Sequence, residues 1–299
     1  MIRKALPAQA LWLIVALKLF WGLNWPMIKL AVNELPVLSF RAACVYGGAA
    51  GLFAMTLAAR QRIAVPRGAW MVLASCALFN ITGWHSLGAY GVSLLDSGRG
   101  AILSFTMPLW AMLLGACFLG ERITRRGFIA LVLGMLALAL LFSSEFEAAS
   151  ATPLGTLSML GAALCWAVGT TIMKRWPVQM ATTAFTAWQF VLGGLPLLAG
   201  VLLFDLDRLH PVSMSASIGL AYNILIAFFL GHWAWVRLIS IAPAGVSALS
   251  ILGTAPIGVF SGMLLLGESP QWRDYAALLL VCVALAVLLL PTRRHGSAG

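Results

Sequence analysis

The chain alternates between long apolar runs and short charged or turn-forming segments, and this pattern constrains its fold most. Each run is about 20 residues long, the length of a helix that crosses the hydrocarbon core of a bilayer. Hydrophobic residues make up 62% of the 299 residues and charged residues only 9%, whereas a soluble domain carries about 25% charged residues. A water-soluble fold of this length could not bury so much apolar surface. The pattern therefore predicts an all-α membrane protein.

Ten such runs follow one another along the chain, and they predict ten transmembrane helices. The segments between them contain proline, asparagine, glycine and basic residues, which are typical of turns and helix ends. None of the runs alternates in the way that a membrane β-strand does. The predicted spans cover residues 9–31, 37–59, 68–91, 96–119, 126–144, 155–175, 181–204, 215–236, 243–266 and 273–291.

The positions of the basic residues predict how these helices are oriented. If the N-terminus is cytoplasmic, most of the 19 Lys and Arg residues fall at cytoplasmic helix ends, as the positive-inside rule requires. We therefore expect a multi-pass protein of the bacterial inner membrane with both termini in the cytoplasm and the lipid bilayer as its surroundings. The net charge of +10 is spread over many loops, so no nucleic-acid partner is expected.

A weak internal repeat divides the chain into two halves. A repeat of five helices has an odd number of spans, so its second copy must cross the membrane upside down, as in many secondary transporters. The pattern predicts a first five-helix repeat at 1–147 and a second, inverted repeat at 148–299, around a central cavity. The matching residues are Trp21-Gly22 with Lys29 and Trp166-Ala167 with Lys174, and Leu119-Gly120-Glu121 after Pro108 and Leu266-Gly267-Glu268 after Pro256.

Together with the sequence Trp21-Gly22-Leu23-Asn24-Trp25 in the first helix, these motifs resemble the drug/metabolite transporter superfamily in its ten-helix EamA-type branch. The resemblance covers nearly the whole chain. Within that branch the chain looks most like the YddG-type exporters of aromatic and other amino acids. The resemblance implies a basket of two inverted five-helix repeats, a central cavity lined mainly by helices 1, 3, 4, 6, 8 and 9, and export as the direction of transport.

Polar and aromatic side chains within the spans are the candidate substrate-binding residues, because polar groups are costly in a bilayer unless they serve a cavity or a partner. In the first helix Trp21 and Trp25 share a face with Lys18 and Lys29, and Asn24 lies beside it. The alternative is that both lysines extend to the interfaces and the tryptophans face lipid headgroups. The predicted substrate-binding set is Trp21, Asn24, Trp25, Asn80, Trp84, His85, Ser104, Trp166, Thr170, Tyr222, Asn223, Ser250 and Thr254.

These candidates also have structural explanations. A histidine in a span is more often a hydrogen-bonded packing group than a proton relay, and an aromatic row such as that around Tyr222 is usually packing. Rows of small residues in helices 4 and 9 allow close helix contacts. Hinges are predicted at Pro26, Pro108 and Pro256, because proline removes a backbone hydrogen bond. Asp96 and Arg99 are expected to pair at the outer end of helix 4.

The acidic residues bear on ion coupling. All nine lie at predicted helix ends or in loops, whereas proton- and sodium-coupled carriers commonly use a carboxylate within the membrane. We therefore expect transport down the substrate's own gradient, with His85 as the one candidate proton site. The five cysteines lie within apolar runs without metal-ligand spacing, and no cofactor is expected.

The predicted function is a secondary transporter that exports small metabolites, above all amino acids including aromatic ones, by alternating access. Rings with a few hydroxyls and amides suit large apolar substrates. The alternatives are a drug or other metabolite carrier of the same superfamily, a membrane-embedded lipid enzyme and a passive channel, which would need a continuous polar stripe. No enzyme motif is present, and the sequence makes no prediction of oligomeric state.

Overall fold

A computed structural model describes residues 8–147, 153–241 and 253–289, and within these ranges all regular structure is helical. The described chain contains six segments that are long and apolar enough to cross a bilayer, and a shorter apolar helix at Thr254–Leu266. The all-helical membrane fold is thus confirmed. The six segments are Gln9–Val32, Val37–Ala58, Ser97–Leu119, Pro153–Arg175, Thr182–Arg208 and Met214–Ile241.

The first span is divided at Leu23 into helices α1 (Ala8–Gly22) and α2 (Asn24–Val32). Pro26 follows the break and has no N–H to offer the carbonyl of Gly22. The hydroxyl of Tyr222 donates hydrogen bonds to the carbonyls of Leu19 and Phe20, at 3.3 and 3.0 Å. A side chain from a distant helix therefore binds carbonyls close to the break. Helix α3 (Val37–Ala58) follows.

Two later segments contain a π-helical turn in their middle. The first consists of α4 (Trp70–Cys76), the π-helical residues Ala77–Gly83 and α5 (Trp84–Leu94). The second consists of α11 (Met214–Tyr222), the π-helical residues Asn223–Leu230 and α12 (Gly231–Ile241). A π-helical turn breaks the regular hydrogen-bond ladder and is frequent at functional sites. In each segment a histidine lies two residues after this turn, as the second residue of α5 or α12.

The two remaining predicted hinge prolines lie in the first turns of helices. Helix α6 (Ser97–Ser104) ends before Phe105 and Thr106, and α7 (Met107–Leu119) begins with Pro108 as its second residue. Pro256 is the third residue of α13 (Thr254–Leu266). At these positions the missing N–H costs no bond within the helix that the proline begins. In the first half, the predicted interruption is therefore a break between two helices.

The other long helices are α8 (Arg125–Glu147), α9 (Pro153–Arg175), α10 (Thr182–Gly200) and α14 (Trp272–Leu289). Their bounds agree with the predicted spans to within a few residues. Helix α3 packs along α10, α5 along α9, and α8 along α14. Glycine permits the closest approaches: a Cβ at Gly193 would lie 2.5 Å from that of Ile81 and 2.7 Å from the carbonyl oxygen of Ala77.

Candidate functional site

Two histidines and two phenylalanines form a buried cluster between the helices. The ring centroids of His85 and Phe228 are 4.6 Å apart, those of Phe190 and His232 are 4.9 Å apart, and those of Phe190 and Phe228 are 5.3 Å apart. Both phenylalanines are almost completely buried. We call these four residues the histidine–phenylalanine cluster. It brings together side chains from α5, α10, the second π-helical turn and α12.

The two histidines have the same spacing along the chain as the two glycine–glutamate motifs. His232 follows His85 by the same number of residues as Gly267 follows Gly120, and each histidine comes just after a π-helical turn. The Nδ1 atom of His232 is 3.2 Å from the carbonyl oxygen of Ala227. The buried Nε2 atom of His85 has no hydrogen-bond partner among the described residues. One imidazole is therefore held by backbone, and the other keeps hydrogen-bonding capacity.

Three of the predicted tryptophans surround the cluster. The Trp21 ring lies 5.8 Å from that of His232, and its Nε1 donates to the carbonyl of Ala227 at 3.2 Å. On the other side the rings of Trp84 and Trp166 are 5.3 Å apart, and Trp84 is 6.5 Å from His85. The structure thus brings Trp21, Trp84, Trp166 and His85 to one aromatic region.

Several other predicted residues make contacts within the helix bundle. Trp25 is 9% exposed and packs between two glycines, since a Cβ at Gly258 would be 2.9 Å from its Cδ1 and one at Gly100 would be 3.6 Å from its Cζ3. Ser104 donates to the carbonyl of Ala101 at 2.7 Å, and Thr170 donates to that of Trp166 at 2.8 Å. Both hydroxyls bind their own helix. Thr254 is buried at the start of α13.

The predicted asparagines lie at helix contacts. Asn80 donates from Nδ2 to the Oε1 of Gln189 at 3.4 Å, and its Oδ1 packs against Gly169. This links the first π-helical turn to α9 and α10. The buried Oδ1 of Asn24 has no hydrogen-bond partner among the described residues. Asn223 is completely buried and donates to the carbonyl of Gly219 at 2.9 Å. Ser250 lies outside the described residues.

One residue that sequence analysis did not select extends to the cluster. Arg41 lies in α3 with a side chain that is 3% exposed. Its Nη1 is 3.5 Å from the Oδ1 of Asn223, and its guanidinium carbon lies 4.8 Å from the Phe40 ring centroid and 5.9 Å from that of Phe228. In the sequence, Arg41 is an arginine five residues after Pro36, near the start of an apolar run. This position is typical of an arginine at the membrane interface, because a guanidinium near a helix end can extend to water.

Charged groups also bind the C-terminal end of α5 and the start of α6. The Nζ of Lys29 donates to the carbonyls of Val92, Ser93 and Leu95 at 3.0, 3.1 and 2.8 Å. This lysine therefore binds the end of a helix.

The carboxylate of Glu268 accepts from the backbone N–H groups of Ser97 and Gly98 at 2.6 and 3.1 Å. Arg99 pairs with Asp274, with its Nε 3.3 Å from Oδ1. The start of α14 thus brings a carboxylate to the start of α6.

Comparisons with known proteins agree with this architecture. A model of the EamA-like transporter family matches residues 8–143 and, a second time, residues 153–290. The "Uncharacterized transporter YoaV" of Bacillus subtilis is 23% identical over 270 residues, covering 90% of this chain and 92% of that protein. A "Probable amino-acid metabolite efflux pump" of Salmonella typhimurium is 24% identical over 280 residues, covering 89% and 90%. A solved crystal structure with 20% identity has a similar fold, with a TM-score of 0.67 over 99% of this chain and all of the other.

Proposed function

Because the chain belongs to the EamA-like transporter family, we propose that it is a secondary carrier that exports amino acids, aromatic ones included, by alternating access. The observation that carries this proposal is the histidine–phenylalanine cluster with Trp21, Trp84 and Trp166 around it. Aromatic faces with a few polar groups suit a large apolar side chain. The efflux pump of Salmonella typhimurium supports the same substrate class.

The proposed architecture is ten spans in two inverted repeats, at 1–147 and 148–299. Its support is that the family model matches each half once and that equivalent residues have equivalent geometry. Gly120 and Gly267 end α7 and α13 with φ of 68° in both cases. The following N–H of Glu121 donates to Gly115 at 3.2 Å, and that of Glu268 donates to Gly262 at 3.3 Å. An inverted pair of such repeats would alternate by rocking around a site at their interface.

The proposed orientation places both termini in the cytoplasm of a bacterial cell and the spans in its inner membrane. Contacts between distant loops support it. Glu34 binds Ser213, and Glu268 binds Ser97, so the two residues of each pair lie on the same side of the bundle. The loops 61–66 and 179–181 line one cavity of about 490 Å³ on the side that a ten-span count calls cytoplasmic. Each of these contacts joins loops that the proposed topology places on the same side.

We further propose that transport follows the substrate's own gradient. The acidic residues of the described segments lie at helix ends or in loops of the chain. Asp205 is buried at the end of the π-helical residues Val201–Asp205, which follow α10. Its carboxylate accepts hydrogen bonds from the N–H and hydroxyl of Ser39 at 3.0 and 2.9 Å. A carboxylate that binds local donors is poorly placed to carry a coupling ion. His85 is the remaining candidate proton site.

The test is uptake of labelled tryptophan, phenylalanine, threonine and a sugar by proteoliposomes that contain the purified protein, with and without a pH gradient. We expect saturable amino-acid uptake without the gradient and a several-fold loss in Trp166→Ala. Trp176→Ala is the matched control, because Trp176 directly follows α9, the helix that contains Trp166, and is 56% exposed. Absence of amino-acid uptake would overturn the substrate class, and uphill uptake driven by the pH gradient would overturn uncoupled transport.

A further inference from the structure

Arg41 is a buried cation whose described surroundings contain no counter-charge. A guanidinium stays protonated in proteins and offers five N–H donors. The polar groups beside the guanidinium of Arg41 are the carboxamide of Asn223, at 3.5 Å, and the thiol of Cys44. Its Nε has no hydrogen-bond partner among the described residues. Most of the donor capacity of Arg41 is therefore unused within the described structure.

The nearest acidic residues in sequence and on the neighbouring helix have other partners. Asp205 accepts from Ser39, two residues before Arg41, and Glu34 accepts from Ser213. A charge within a membrane protein is costly unless it is paired or faces a substrate pathway. A residue such as Arg41 is therefore suited to receive an anionic group from a ligand.

The ring that Arg41 contacts belongs to the histidine–phenylalanine cluster. Its guanidinium lies over Phe228 at 5.9 Å, and the Phe228 ring is 4.6 Å from that of His85. His85 in turn has a buried Nε2 without a partner among the described residues. The guanidinium of Arg41, the Nε2 of His85 and the phenylalanine rings thus adjoin one another. Together they provide polar groups for one end of a ligand and apolar faces for the other.

We propose that Arg41 recognises the carboxylate of the substrate, with His85 as an accessory hydrogen-bonding group and the rings of Phe190 and Phe228 beside the substrate's apolar side chain. This inference rests on the proposed amino-acid transport and deepens it. A guanidinium binds a carboxylate through two parallel hydrogen bonds, which a neutral amide cannot reproduce with the same strength. The substrate class is thereby narrowed to carboxylates with a large apolar or aromatic group.

Four indole compounds test this assignment by equilibrium binding to the purified protein. Tryptophan and indole-3-propionate carry the carboxylate, whereas tryptophanamide and tryptamine do not. The wild type should bind the two carboxylates roughly 10- to 100-fold more tightly, the range expected for a hydrogen bond between charged groups. Equal affinities for tryptophan and tryptophanamide in the wild type would overturn the assignment without any variant.

Variants then test whether Arg41 causes the preference for ligands that carry a carboxylate. Arg41→Gln should abolish it, and Arg41→Lys should retain only part of it, because an ammonium lacks the fork. Asn223→Asp supplies an internal carboxylate beside Nη1 at almost unchanged volume, so it should abolish the preference even if Arg41→Gln does not fold. Arg62→Gln is the control, since Arg62 is exposed in a loop, and it should leave the preference intact.

The outcomes separate this inference from the proposed function. If amino acids are transported but Arg41→Gln and Asn223→Asp keep the carboxylate preference, the assignment of Arg41 is wrong and the carrier stands. If no amino acid is transported but the wild type binds indole-3-propionate and the variants do not, the amino-acid proposal is wrong and the carboxylate site stands.

Discussion

At the scale of single residues, a hydroxyl inside a span binds the nearest carbonyl of its own helix. Ser104 and Thr170 donate to carbonyls three and four residues earlier, as serine and threonine commonly do in helices. Their positions in the sequence could therefore not show whether they serve a ligand. Arginine differs, because its guanidinium lies too far from its own backbone to be satisfied there. Arg41 consequently carries more functional information than the hydroxyls that sequence analysis selected.

A pH dependence is expected from Glu34, which lies outside the spans. Its carboxylate accepts from the hydroxyl and the N–H of Ser213, and these bonds lower its pKa. A pKa that is lower in the folded state stabilises the fold above the unfolded pKa, and this is lost as the pH falls through the folded pKa. Glu34→Gln should therefore lower Tm at pH 7 and have progressively less effect towards pH 3.

Thermal unfolding of the detergent-purified protein across this pH range measures the effect. Asp207→Asn is the control, because Asp207 is an exposed acidic residue on a nearby loop. A Tm difference between wild type and Glu34→Gln that stays constant from pH 7 to pH 3 would contradict the argument.

At the scale of elements, identical sequence motifs acquire different partners. Glu121 and Glu268 both follow a glycine that ends a helix. Glu268 accepts two backbone N–H groups at the start of α6, whereas Glu121 pairs with the exposed Lys174. A carboxylate that satisfies free N–H groups at a helix start stabilises it, whereas an exposed ion pair contributes little.

Glu268→Ala should thus destabilise the protein by about 0.5–2 kcal/mol, the usual range for loss of a helix N-cap. Glu268→Gln should lose less, because its carbonyl oxygen can still accept one bond. Glu121→Ala is the matched comparison and should cost about 0–1 kcal/mol, as for exposed pairs. Chemical denaturation in mixed micelles measures these differences. Equal losses for the two alanine variants would refute the distinction.

Close helix contacts give a second prediction at this scale. A methyl group at Gly193 would meet the Ala77 carbonyl oxygen at 2.7 Å, whereas one at Gly88 would meet only the Ala162 Cβ at 3.8 Å. Gly193→Ala should therefore destabilise the protein by about 1–3 kcal/mol through overpacking. Gly88→Ala, also buried in a helix, should be neutral or slightly stabilising. The same unfolding assay compares them, and similar stabilities for both variants would argue against this contact between α10 and the first π-helical turn.

At the scale of the whole molecule, the proposed topology states how many membrane spans separate any two loops, and hence whether they lie on the same side. A membrane-impermeant maleimide tests the topology by labelling single cysteines. The variants are His210→Cys and Gln179→Cys, each in a background without the native cysteines. We expect labelling of position 210 in intact spheroplasts, and labelling of position 179 only after permeabilisation. Labelling of both from the same side would be incompatible with ten spans and cytoplasmic termini.

The membrane fold and the family could be predicted from sequence because they depend on local features. The length of the apolar runs predicts the helices. The tryptophan, proline and glycine–glutamate motifs predict the family, which the family model confirms by matching residues 8–143 and 153–290. The aromatic part of the candidate site could also be predicted, since Trp21, Trp84 and Trp166 lie around the histidine–phenylalanine cluster and His85 belongs to it.

Only the tertiary structure decided which side chains of each span meet. An apolar span in lipid has no polar face to indicate its rotation, so its inward side depends on contacts with helices far away in sequence. The positions of Arg41 beside Asn223 and of His232 beside Phe190 follow from such contacts. The sequence by itself determined that this chain crosses a membrane as a transporter. The packing of its helices decided that a buried arginine adjoins the aromatic cluster, because burial depends on what surrounds a residue rather than on its neighbours along the chain.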